Sequence, residues 1–168
     1  MKTTILDAWE SMRTSLWLVP SLMAGLSIIF AFAMIRLDES FLLDYEGVRT
    51  FFYAGGSDGA RLILSSIAGS MITVAGVTFS ITMVALTQTV SQFGPSLLRN
   101  FMADRFNQIV LGAFIATFIY SLIVLRTIQD SGAGIFIPRV AISVSIALVL
   151  ASFGLLIYFF HHVATSIH

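Results

Sequence analysis

The chain contains no cysteine, which excludes disulfides, thiolate metal sites and a cysteine nucleophile. Charge is equally scarce: 11% of the 168 residues are Asp, Glu, Lys or Arg, where a soluble domain carries about a quarter. The nine basic and nine acidic residues cancel, so nothing in the bulk charge points to nucleic acid or another polyanion as a partner. The opening MKTTILDAWESMRTS holds two acids and no small-residue cleavage site, so it does not read as a secretory signal peptide and the first apolar segment is expected to stay in the mature protein. No GxSxG, HExxH or clustered metal-ligand motif occurs. No enzymatic activity, cofactor or metal is therefore expected.

What is abundant is apolar sequence. Hydrophobic residues make up 57% of the chain, with a mean hydropathy of +0.93. Crossing about 30 Å of hydrocarbon takes about 20 apolar residues in a helix. Four segments meet that length: about 16–35, 62–90, 109–125 and 137–160. The fold class expected is all-α, a polytopic four-transmembrane-helix bundle forming one domain over residues 1–168, with short interfacial helices and assembly into a homo-oligomer. Apart from Arg139 in the first turn of the fourth, none of the four segments has Asp, Glu, Lys, Arg or His within those limits, which argues against proton pumps and carboxylate-driven antiporters.

An even number of spans puts both termini on one side. That side carries Lys2, Arg13, Arg99 and Arg105; the other carries Arg36, Arg49, Arg61, Arg126 and Arg139. The basic count alone does not orient the chain. Asp38, Glu39, Asp44, Glu46, Asp58 and Asp130 crowd the second side, so cytoplasmic termini are expected. Between the first two spans, Phe41, Tyr45, Val48 and Phe52 fall at helical spacing, with Asp38 or Ser40 available to cap the start. This reads as an amphipathic helix on the surface, ended by AGGSDG at 54–59. After the second span, Gly94 and Pro95 start a short elbow helix, PSLLRNFMADRF, whose Arg99 and Arg105 lie near headgroups. His161 and His162 read as an interfacial pair, since neighbours on a helix point in different directions.

The second span is the unusual one. Gly69, Thr73, Gly76, Ser80 and Thr87 share a face interrupted only by Met83, and Ser66, Ser70 and Val77 run beside it. Two physical accounts fit. Small residues let helices approach and hydroxyls bond across them or back to the i−4 carbonyl, which makes the stripe a packing seam. Alternatively, several copies gather the stripe around an axis and form a wet path with no fixed charge. On the second account Ser66, Thr73, Gly76, Ser80 and Thr87 line the path, with Arg61 and Arg99 at its mouths. Shorter small-residue seams, expected to be bundle contacts, are Ser21–Gly25 on the first span, Gly112, Ala113, Ala116, Thr117 and Ser121 on the third, and Ser145, Ala147, Ala151 and Ser152 on the fourth.

The runs GSMITVAGVTFSIT and SQFGPSLLRNF, continued by FIP at 136–138 and LLIYFFHHVATSI at 155–167, resemble the bacterial predicted-membrane-protein family called domain of unknown function 2254. The likeness covers nearly all of the chain after residue 60 and extends more loosely to LWLVPSLMA near the start. It implies an inner-membrane protein whose relatives continue into a soluble cytoplasmic region after the fourth span. This chain is then expected to be the membrane half, with a cytoplasmic domain missing after His168. The family pattern also implies a basic residue after the elbow proline. Ser96 stands there instead, which removes one contact to lipid headgroups or a pore mouth.

Overall fold

Long uncharged runs without interior glycine–proline pairs leave the backbone one way to satisfy its own polar groups in hydrocarbon, the helix. The computed structural model describes residues 17–41, 53–93, 105–128, 130–131 and 134–166, and it is built on four such helices. They are α1 (Leu18–Phe41), α2 (Ser57–Phe93), α3 (Arg105–Thr127) and α4 (Arg139–Ser166). Each is long and apolar enough to cross a membrane. Two short strands, β1 (Asp130–Ser131) and β2 (Gly134–Ile135), pair antiparallel between α3 and α4, with Asp130 opposite Ile135. This hairpin was not foreseen in the all-α reading. The surface helix expected between the first two spans lies outside the described residues beyond Phe41, and so does the elbow at 94–104.

The helices run up, down, up, down. At one end, the Trp17 ring meets Phe79 with centroids 6.0 Å apart, and Phe106 meets Tyr158 edge-on at 4.9 Å. At the other end, the last turns of α1 reach the first turn of α4. The start of α1 and the end of α4 therefore share one end of the bundle.

α3 is the central element. It packs against α1, α2 and α4, whereas α1 and α2 flank it on different sides. Its small residues permit this. A Cβ on Gly112 would sit 3.2 Å from the Pro20 Cα and 2.5 Å from the Met23 sulfur. Two apolar clusters fill the interior. Ala31, Ile35, Leu64, Tyr120, Val124 and Ile142 occupy the end near the hairpin. Ile67, Met71, Val110, Phe114 and Phe159 occupy the other.

Polar side chains tie the helices together at membrane depth. Ser27 donates to the Ala116 carbonyl at 2.6 Å, joining α1 to α3. The Thr117 and Ser152 hydroxyls meet at 3.1 Å, joining α3 to α4. Tyr120 donates to the Ala141 carbonyl at 3.1 Å. Thr82 lies 3.1 Å from Asn107 Oδ1, joining α2 to α3. Gly112, Thr117, Ser121, Ser145 and Ser152 are buried as expected of seam residues. Ser21, Gly25, Ala147 and Ala151 are exposed, so those two seams are not contacts within the bundle.

Candidate functional site

α2 divides cleanly into two faces. Ala60, Leu64, Ala68, Met71, Ala75 and Thr78 recur at threes and fours and are buried against α3 and α4. The other face carries Ser66, Gly69, Ser70, Thr73, Gly76, Ser80 and Thr87, all exposed on the outside of the bundle, with Leu62, Val77 and Val84 exposed among them. Apart from the adjoining backbone of α2 itself, no heavy atom of the described residues lies within 4 Å of a Cβ built on Gly69 or Gly76. The stripe is therefore no seam inside one copy of the chain. Its closest approach to anything is left to whatever surrounds the bundle.

The hydroxyls on this face differ in how they are satisfied. Thr73 donates to the Gly69 carbonyl at 2.9 Å, and Thr87 donates to the Met83 carbonyl at 2.8 Å. Such back-bonding lets a hydroxyl face hydrocarbon cheaply. Ser66 and Ser80 make no hydrogen bond to any described residue. In hydrocarbon an unmatched hydroxyl is costly, so these two either rotate onto their own helix or meet water or a polar neighbour.

The expected mouth residues are placed differently. Arg61 is half-buried and donates to the Ile128 carbonyl at 3.2 Å. Its guanidinium thus closes the last turn of α3, on the side of α2 turned towards the bundle rather than on the stripe. Arg99 lies outside the described residues, and only the backbone of Arg105, the first residue of α3, is described.

A second surface feature is an apolar groove of about 610 Å³ between α1, α3 and α4. Leu26, Ile29, Phe30, Leu148 and Leu155 line it. The hydroxyls in its wall, Ser27, Thr117, Tyr120 and Ser152, are all spent on the interhelical bonds above.

Sequence reasoning missed the most unusual polar side chain of the structure. Asp38 does not cap a helix that follows it. α1 continues past Arg36, helped by the Arg36–Glu39 pair at 3.2 Å and by Ser40 donating to the Arg36 carbonyl at 3.0 Å. Asp38 is then buried, with 2% of its surface exposed, and its carboxylate accepts from the Val140 N–H at 2.9 Å and the Ala141 N–H at 2.8 Å. It caps α4, more than a hundred residues downstream. The signal available in sequence was Pro138-Arg139, a helix start with orphan N–H groups and no local Ser, Thr, Asp or Asn before it.

Around this cap the start of α4 is held from three directions. Arg139 donates to the Tyr53 carbonyl at 3.3 Å, and the Tyr53 N–H donates to Ser143 Oγ at 3.0 Å. Tyr53 in turn lies over Gly55 and Gly59, where any Cβ would collide with its ring or hydroxyl.

The model of a family described as "Predicted membrane protein (DUF2254)" matches residues 13–168. Relatives include an uncharacterized protein of Mycobacterium tuberculosis and one of Mycobacterium bovis, each 36% identical over 161 residues. That alignment covers 94% of this chain and 30% of either relative, so the chain spans less than a third of their length. No solved structure matches.

Proposed function

The chain belongs to the DUF2254 family of predicted membrane proteins, and from that premise we propose that it self-assembles in a bacterial inner membrane and conducts ions or small solutes along the polar face of α2. Ser66, Thr73, Gly76, Ser80 and Thr87 line the path, and both termini face the cytoplasm. The carrying observation is that this face is exposed on the outside of its own bundle while the opposite face of α2 makes the internal contacts. A stripe of hydroxyls and glycines is a poor match for acyl chains and a good match for water or for the same stripe on another copy. Lining without fixed charge selects weakly, so modest discrimination between cations and anions follows. Arg99 and Arg105 serve anionic headgroups near the cytoplasmic mouth. Arg61 contributes to holding α3 rather than to the path.

The test is conductance of the purified full chain in planar bilayers. Currents are expected for the native sequence, and Ser80→Leu should reduce them at least severalfold. Silent bilayers at high protein load overturn the conduction reading.

The second reading is a non-conducting anchor and oligomerisation module for a soluble cytoplasmic region. It is favoured by one observation, that the relatives run about three times the length matched here. Single cysteines at Thr73, Ser80 and Thr87 separate the two. Aqueous thiol reagents should label at least two of them if the path is wet and none if the stripe is a dry seam.

A further inference from the structure

Asp38 is the one buried ionisable carboxylate of the described helices, and no cation among the described residues neutralises it. The charged and titratable groups around it are all engaged elsewhere. On α1 itself, Arg36 and Glu39 pair with each other at the surface. On α2, Arg61 is bound to the Ile128 carbonyl. On α3, Tyr120 donates to the Ala141 carbonyl. On α4, Arg139 reaches the Tyr53 carbonyl. Among the described residues, the two carboxylate oxygens have the Val140 and Ala141 N–H groups as partners, together with the positive end of the α4 dipole.

We propose that Asp38 is a proton-operated latch between α1 and the start of α4. Ionised, its two oxygens accept both N–H groups and fix α4 against the last turns of α1. A proton on either oxygen makes it a donor and a much weaker acceptor, so one of the two N–H groups loses most of its hydrogen bond in a buried site. The latch is closed while the carboxylate is charged and opens as pH falls through its titration. A buried ionisable residue at the end of a membrane helix is costly to keep for packing alone, and a neutral Asn or Ser at the same place offers one acceptor oxygen and no charge to the α4 dipole. The carboxylate adds both, and with them a dependence on protons. This inference goes beyond the conduction reading and does not rest on it.

The test reads the latch directly. The full chain in nanodiscs of phosphatidylcholine and phosphatidylglycerol is followed by amide hydrogen exchange at Val140 and Ala141 from about pH 8 to about pH 4, each rate normalised to the intrinsic exchange rate at that pH. The native chain should lose about tenfold in protection on acidification, the size expected for a hydrogen bond to a charged group. Asp38→Asn should show the weakened protection at every pH and no step. Tyr120→Phe and Arg139→Gln, which remove neighbours and leave the carboxylate, should retain the step. Protection that is flat with pH in the native chain, or a step that survives in Asp38→Asn, overturns the proposal.

Discussion

At the scale of single residues, the glycines separate two kinds of small-residue position that look alike in sequence. Gly112 is filled space. The α1 backbone at Pro20 cannot retreat, and although the Met23 side chain can move, Gly112→Val should push α1 off α3. The expected cost is about 1–3 kcal/mol, the usual range for overpacking, read as a lowered thermal midpoint of the purified protein. Gly76 is open space in the single chain. Gly76→Ala should leave the stability of the dissociated chain unchanged or raise it by up to about 1 kcal/mol through helix propensity. If a second copy seats on that face, the same substitution should instead weaken assembly. Size-exclusion profiles in mild detergent, measured beside the thermal midpoint, distinguish the two effects. A Gly112→Val protein as stable as the native one would remove the close α1–α3 contact as a feature of the fold.

At the scale of helices, what could be read from the sequence and what could not follow from the range of the interactions. The four crossings were legible because hydropathy sums over a local window, and the polar stripe of α2 was legible because Ser, Thr and Gly recur at helical spacing. The ends were harder. α1 was expected to stop at Ile35, where charge begins, yet it runs to Phe41. The reason is an acceptor for α4 that no local pattern reveals, since Asp38 and Val140 are separated by 102 positions. The site was legible only as a stripe. Its outward orientation depended on which face of α2 the third helix takes, and Arg61 was misassigned because its partner is a carbonyl at the end of α3. The interhelical hydroxyl bonds give a prediction at this scale. Ser27→Ala removes the 2.6 Å bond to Ala116, and Ser152→Ala removes the contact with Thr117. Each should cost about 0.6 kcal/mol, as membrane hydrogen bonds do, and the double variant should be close to additive because the two bonds join different helix pairs. A loss above about 2 kcal/mol for either one in a reversible unfolding titration would mean that it orders more than its own bond.

At the scale of the whole molecule, the bundle presents two dissimilar surfaces to its surroundings. The α1–α3–α4 side offers a greasy groove whose hydroxyls are already paired, and hydrocarbon satisfies it fully. The outward side of α2 offers the Ser66 and Ser80 hydroxyls with no partner among the described residues, and two glycines that no other described element covers. Because α1 and α2 flank α3 on different sides, an assembly that buries the α2 stripe leaves the groove facing lipid. On the self-assembly proposed above, the asymmetry selects which positions would meet their own copies. The absence of native cysteine makes the experiment clean, since every thiol is one introduced on purpose. In membranes treated with a mild oxidant, Thr73→Cys should form disulfide-linked dimers readily, because equivalent positions on a symmetric axis approach one another. Ile29→Cys, on the groove side, should stay monomeric under the same conditions. Linkage through Ile29→Cys with none through Thr73→Cys would mean that the copies meet through the groove, and that the polar stripe of α2 faces something other than itself.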